Sequence, residues 1–175
     1  RIYDLVEVIA ERRYQTWREQ AWRLVEGSEI LEVGVGTGKN MPYYPADAHI
    51  TAIDISEKML ARARRRANDV ERNITLCQMD AQALEFEDNL FDSAIATFVF
   101  CSVPDPVLGL QELRRVVKPG GCVILLEHMR ARDPVLGTIM DWLDPLTVRL
   151  MGPHINRKTV KNVRHAGLDI KRVDE

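Results

Sequence analysis

The sequence predicts an α/β fold of three layers, with helices on both faces of a mainly parallel sheet, and three observations predict it. Apolar strand-like runs alternate with helix-period segments from about residue 29 to residue 127. The first run, Ile30-Leu31-Glu32-Val33, passes straight into glycines at alternate positions, Gly34, Gly36 and Gly38. The second run, Ile50-Thr51-Ala52-Ile53, ends on an acid, Asp54, which stands 16 residues after Gly38.

Each element has its own signal. Leu5, Val8, Ile9, Trp17, Trp22 and Leu24 are spaced for one or two helices within residues 2–27, ahead of the first strand. Strands are expected at 29–34, 50–54, 73–78, 91–98 and 122–127, and helices at 38–44, 56–68 and 106–117. Ser56 can cap the second helix, while Asp105 followed by Pro106 makes an N-cap and first-turn pair for the third. Lys118-Pro119-Gly120-Gly121 stops that helix. On the second helix Met59, Ala63 and Ala67 form an apolar stripe, so Arg62, Arg64, Arg65 and Arg66 read as its solvated face. After Glu127, a helical insert with Leu136, Ile139, Met140 and Leu143 is expected over Pro134–Met151, broken by Pro145. A helix over Thr159–His165 and a strand over Leu168–Val173 complete the reading.

Composition excludes several classes. The 175 residues are one domain's worth, and 46% apolar residues suffice for one core. A formal charge of −2 gives no global attraction to polyanions, so no nucleic-acid partner is expected. Cys77, Cys101 and Cys122 show neither C-x-x-C spacing nor a histidine ladder, which fits buried thiols in a reducing compartment and no metal. No apolar run approaches the ~20 residues of a membrane span, so a cytoplasmic protein, or one peripheral on the inner membrane surface, is expected.

The glycine turn carries the chemistry. Without Cβ atoms the backbone can take positive φ and approach a ligand closely. A dinucleotide turn reads G-x-G-x-x-G, whereas here Lys39 stands where the third glycine would fall. Glu32 is an acid inside an apolar strand, a costly placement without a cationic or donor-rich partner, and a sulfonium amino acid would suit it. Asp54 is placed to accept from two ribose hydroxyls. Two structural roles compete: a salt-bridge or helix-dipole partner for Glu32, and a helix N-cap for Asp54.

LEVGVGTG, TAIDISEKML, MDAQALEFEDNLFD and ELRRVVKPGG stand in the order found in the class I S-adenosylmethionine-dependent methyltransferases, which the chain resembles over residues 28–128. The resemblance implies a Rossmann-like three-layer α/β/α fold with seven strands. This chain stops after the sixth, so a C-terminal piece is expected to be missing. It implies one domain over 1–175: an N-terminal helical lid (1–27), a cofactor-binding core (28–128) and a substrate-side insert with the C-terminal part (129–175). It implies S-adenosylmethionine as cofactor and S-adenosylhomocysteine as product. Gly34, Gly36 and Gly38 would pack on the methionine portion, with ribose on Asp54, adenine beside Ile55 and Met59, its amino group near Asp80 and the Ala81 backbone, and Glu32 supporting the turn or the ammonium.

Methyl transfer asks the protein to align nucleophile, carbon and sulfur and to exclude water. The segment Thr97 to Pro104, with Cys101 in it, leaves the fourth strand and should face the methyl group. It lacks the N/D-P-P-Y/F motif of nucleobase and glutamine methylation. His128 can take a proton from an amine, thiol or enol, or simply satisfy a strand-end carbonyl. His154, Asn156, Arg157 and Lys158 gather as either a phosphate or carboxylate cradle or a solvated helix-start loop. Tyr3-Asp4, FCSVPDP, Glu127-His128 and Asn156-Arg157 resemble a narrower group of phosphatidylethanolamine N-methyltransferases, quinone-pathway C-methyltransferases and thiol methyltransferases. For a phospholipid, Arg157 and Lys158 would meet the phosphate, and Tyr3 or Tyr14 would line the pocket. A lipid or lipophilic acceptor is expected, phosphatidylethanolamine first, with a quinone or thiol as the alternative and a non-catalytic cofactor-binding regulator as the different class.

Overall fold

The computed structural model describes residues 14–127 and 159–174. Tyr3, His128, the 134–151 insert, His154, Asn156, Arg157 and Lys158 lie outside the described residues. A helix covers 14–22 (α1) and leads through a turn to β1 (Glu29–Val33). Then follow β2 (His49–Asp54), α2 (Glu57–Ala67), β3 (Asn73–Gln78), β4 (Phe91–Thr97), α3 (Pro106–Val116), β5 (Val117–Leu126) and α4 (Thr159–His165). The strands form one sheet in the order β3-β2-β1-β4-β5, all pairs parallel.

Alternation along the strands sorts the core into two faces. Ile30, Ile50, Ala52 and Ile95 pack with Leu60 and Ala63 of α2 and with Trp22 of α1. Leu31, Val33, Ile53, Ala94 and Ala96 pack with Leu110, Leu113 and Val116 of α3 and Ala166 beyond α4. That is the three-layer arrangement expected. The strand order reverses between β1 and β4, where ligands of such sheets bind beyond the carboxyl ends.

The helix caps form as read. Ser56 Oγ accepts the Met59 amide, and Asp105 Oδ1 accepts those of Val107 and Leu108. All four arginines of α2 are exposed, and none of the cysteines is in a disulfide.

Three expectations are corrected. The predicted helix over 38–44 is instead a turn with a short 3-10 helix, Met41–Tyr43. Pro42 removes a donor, and Pro45 forces Tyr44 into extended backbone at ψ 134. β5 begins at Val117 rather than 122, because Lys118-Pro119-Gly120-Gly121 forms an irregularity within the strand instead of a loop. Gly120 takes φ 86, and a Cβ on Gly121 would lie 2.4 Å from the Asp92 carbonyl oxygen. Residues 168–173 keep part of the inward-outward alternation but form no strand, since no described segment hydrogen-bonds beside them.

The amino rim of the sheet is latched by charge. Asp92 Oδ2 accepts the amides of Ser28 and Glu29, each at 2.9 Å, while Oδ1 pairs with Lys118 Nζ at 2.6 Å. These donors pull the Asp92 carboxyl down to about 2. Arg115 donates to Glu112, Asp88 and the carbonyls of Leu84 and Phe86, closing the β3–β4 connection onto α3.

Candidate functional site

The opposite rim collects the glycine turn, Asp54 and the other described residues that the sequence singles out for the cofactor. All three glycines of the turn adopt positive φ: Gly34 at 70, Gly36 at 56 and Gly38 at 81. Their missing Cβ atoms have different uses. One on Gly34 would lie 2.3 Å from Val99 Cγ2 and one on Gly38 2.8 Å from Met41 Cε, so those positions are small for the protein's own packing. At Gly36 nothing stands closer than the Gly34 carbonyl oxygen at 4.0 Å. Its open face is where a ligand can reach the backbone.

Asp54, at the end of β2, fastens that turn. Its Oδ2 accepts the Gly36 amide and its Oδ1 the Ser56 amide, both at 2.8 Å. The helix N-cap is Ser56, not Asp54. Each carboxylate oxygen keeps lone-pair capacity for a further donor. Beside it Ile55 and Met59 are apolar yet 66% and 39% exposed, so the core side of α2 is held by Leu60 and Ala63 rather than by Met59. Asp80 follows β3 on the same rim; its Oδ1 accepts the Gln82 amide at 2.9 Å, and Ala81 is buried.

Glu32 is completely buried on β1. Its carboxylate accepts from Asn40 Nδ2 and from the Tyr44 hydroxyl. Burial pushes this carboxyl up to about 7, against the pull of Tyr44, Asn40 and the Arg18 charge; Asp54 adds a smaller push in the same upward direction. Burial and the neighbouring Glu32 drive the Tyr44 phenol well above its ordinary value. Asn40 also donates to Thr97 Oγ1 at 2.9 Å, and Arg18 Nη1 of α1 reaches both Asn40 Oδ1 (2.9 Å) and Thr97 Oγ1 (3.1 Å). The donor-rich partner expected for Glu32 is therefore internal, supplied by Asn40 and Tyr44.

Sequence reasoning missed Asn40, Tyr44 and Arg18. A signal existed, because an acid in an apolar strand needs donors and Asn40 and Tyr44 are polar residues of the adjoining turn.

Past β4 the chain turns sharply. Phe98 takes φ 59, rare for a bulky residue. The Tyr14 ring lies 5.1 Å from the Phe98 ring, and the Arg18 guanidinium sits 5.2 Å from its centroid. Cys101 is buried with Sγ turned toward the Phe98 carbonyl oxygen at 3.5 Å. Glu127, which the sequence reading names only beside His128, follows β5 with Oε1 accepting the Val99 and Phe100 amides at 2.9 Å. Among the described residues its buried Oε2 has no hydrogen-bond partner, and burial raises this carboxyl to about 7 as well. Among the described residues no cluster of histidine, cysteine or acids could hold a metal, and no helix is long and apolar enough to cross a membrane.

A parallel sheet with a glycine turn at its switch point, and an acid on the next strand tying that turn, defines a nucleoside-cofactor fold. Residues 31–125 match the family described as methyltransferase domain, and the chain belongs to the S-adenosylmethionine-dependent methyltransferases. The cofactor that membership carries is S-adenosylmethionine. Over 109 residues, 61% of this chain and 53% of the relative, it is 43% identical to the phosphatidylethanolamine N-methyltransferase of Cereibacter sphaeroides. Over 141 residues, 76% of this chain and 60% of the relative, it is 36% identical to the demethylmenaquinone methyltransferase of Staphylococcus saprophyticus. The chain thus spans between half and two thirds of the length of these relatives. A candidate methyltransferase of known structure from Bacillus halodurans superposes with a TM-score of 0.72 over 86% of this chain and 68% of that one; at 21% identity it speaks for the fold alone.

Proposed function

We propose that the chain forms the cofactor-binding part of a methyltransferase for a lipid or lipophilic acceptor, and that the first acceptor to test is phosphatidylethanolamine. The observation that carries the cofactor half is the Asp54–Gly36 link at 2.8 Å beneath an open backbone face, flanked by exposed Ile55 and Met59. These residues fit the group: a small backbone for the methionine portion, a carboxylate with spare lone pairs for ribose hydroxyls, and an apolar ledge for adenine. Asp80 and the Ala81 backbone are assigned to the adenine amino group, and Gly34 and Gly38 to the shape of the turn. Thr97, buried at the end of β4, is assigned to the cofactor site, where its hydroxyl helps to hold Asn40 and Arg18 beside the glycine turn.

When bound, S-adenosylmethionine supplies an electrophilic methyl group on a sulfonium. The protein's part is alignment and exclusion of water. Tyr14, packed on Phe98, covers the end of β4, and the Val99–Cys101 loop is held by Glu127. His128 is assigned to accept the proton that an amine acceptor releases. Tyr3, His154, Asn156, Arg157 and Lys158 are assigned to the headgroup, with Arg157 and Lys158 on its phosphate.

Likeness to the Cereibacter enzyme at 43% identity supports the phospholipid reading. A quinone acceptor is the second reading, favoured by the Staphylococcus likeness extending over 76% of this chain. A peripheral position on a membrane would accompany either. The test is transfer of radiolabelled methyl into a lipid and metabolite extract by the full-length protein. Label in methylated phosphatidylethanolamine is the expected result; label in a quinone or thioether moves the assignment, and no label overturns the enzyme reading.

A further inference from the structure

The network behind the glycine turn includes one residue from outside the sheet. Arg18 belongs to α1, yet its guanidinium ends at the switch point between β1 and β4, on Asn40 Oδ1 at 2.9 Å and Thr97 Oγ1 at 3.1 Å. The same group lies over the ring of Phe98, whose backbone is held in the left-handed region. Asn40 in turn donates to the buried Glu32. One cation therefore touches the turn after β1 and the ends of β4, and helps set the hydrogen-bonding orientation of the amide on which Glu32 depends.

We propose that Arg18 is a positioning residue for the cofactor site: through Asn40 and Thr97 it fixes the floor of the glycine turn, and its charge makes that floor competent only when α1 is docked. The inference rests on the cofactor reading above. Three geometric facts carry it, namely the shared hydrogen bonds, the stacking on Phe98 and the full burial of Glu32.

Electrostatics supply a readout that packing alone would not. The groups acting on Glu32 are Tyr44 after the 3-10 helix, Asn40 in the turn, Arg18 on α1 and Asp54 on β2; Arg18 favours the ionised carboxyl and Asp54 opposes it. The Glu32 carboxyl stands near 7, so cofactor binding that needs its negative field strengthens as pH rises through neutrality. Without the Arg18 charge Glu32 holds its proton to higher pH, and that limb moves upward.

The experiment is calorimetric titration of S-adenosylhomocysteine, between pH 5.5 and 8.5, into the wild-type chain and the variants Arg18→Ala, Arg18→Gln and Arg18→Lys. Circular dichroism checks that each variant is folded. At pH 7 the alanine and glutamine variants are expected to bind about tenfold more weakly, the scale of a lost hydrogen bond to a charged group. Their binding limb should shift to higher pH, and lysine should restore it. The glutamine variant keeps much of the stem and a polar head, so the test survives if the alanine variant does not fold. Affinity unchanged, or weakened by one factor at every pH, overturns the positioning role while leaving the cofactor reading intact. Failure of the wild-type chain to bind at any pH overturns the cofactor reading itself.

Discussion

Asp54 and Gly36, 18 residues apart in sequence, are joined by a 2.8 Å hydrogen bond from the Gly36 amide to Asp54 Oδ2. The bond ties the tip of the glycine turn to the end of the neighbouring strand. The same carboxylate reaches Ser56 at the start of α2, so one side chain sets the spacing between turn, strand and helix.

Replacing Asp54 by alanine is expected to weaken S-adenosylhomocysteine binding by about 1–3 kcal/mol, the range for leaving hydrogen-bond partners unsatisfied. The folded far-ultraviolet spectrum should persist, because the strand core is untouched. Calorimetry decides it, and unchanged affinity removes Asp54 from the site.

Two glycines of the turn are expected to separate packing from binding. In Gly34→Ala the new methyl runs into Val99, so the fold should lose roughly 2–4 kcal/mol from strain and overpacking together. In Gly36→Ala the methyl enters open space, so stability should fall only by the ~1–2 kcal/mol of positive φ. Cofactor affinity should nonetheless collapse. Urea unfolding beside ligand titration reads both, and equal stability losses would refute the distinction.

Glu127 should make stability fall on the alkaline side. Its folded carboxyl is raised to about 7 from the ordinary 4.5, so the fold binds this proton more tightly than the unfolded chain does. That contribution is complete below pH 4.5 and is lost as pH rises through 7. Glu127→Gln keeps an acceptor for the Val99 and Phe100 amides without the buried charge. It should be at least as stable as wild type at pH 8 by urea unfolding, and a large loss there would show that the charge itself holds the loop.

Asp92 should act in the opposite direction. Its folded value of about 2 lies below the ordinary 3.8, so its contribution is present above pH 4 and lost as pH falls toward 2. Asp92→Ala removes the acceptor for Ser28 and Glu29 and is expected to cost about 1–2 kcal/mol at pH 7. Its acid unfolding should be less steep than that of the wild type, and an unchanged profile would place the acid sensitivity elsewhere.

The strands were legible because buried parallel strands write themselves as apolar runs between turn residues; β1 to β4 fall within a residue or so of expectation. Helix caps were legible because Ser56 and Asp105 act locally. The helix expected over 38–44 from the alternation of strands and helices does not form, because Pro42 and the Tyr44-Pro45 pair limit the stretch to a short 3-10 helix. The glycines and Asp54 could be read from a fixed offset along the chain. Arg18 and Glu127 could not, since their partners lie 79 and 28 residues away and only the packing of α1 and β5 on β4 brings them together.

The two rims of the sheet carry different burdens. At the amino rim Asp92 and Arg115 lash strand starts and the β3–β4 connection with charged hydrogen bonds. The carboxyl rim holds a strained Phe98 and two carboxyls that burial raises to about 7, one of them, Glu32, wholly buried. Such a division separates two kinds of tolerance: a substitution at the carboxyl rim leaves the lashings at the far edge untouched, so the sheet can keep its strand order while that rim changes.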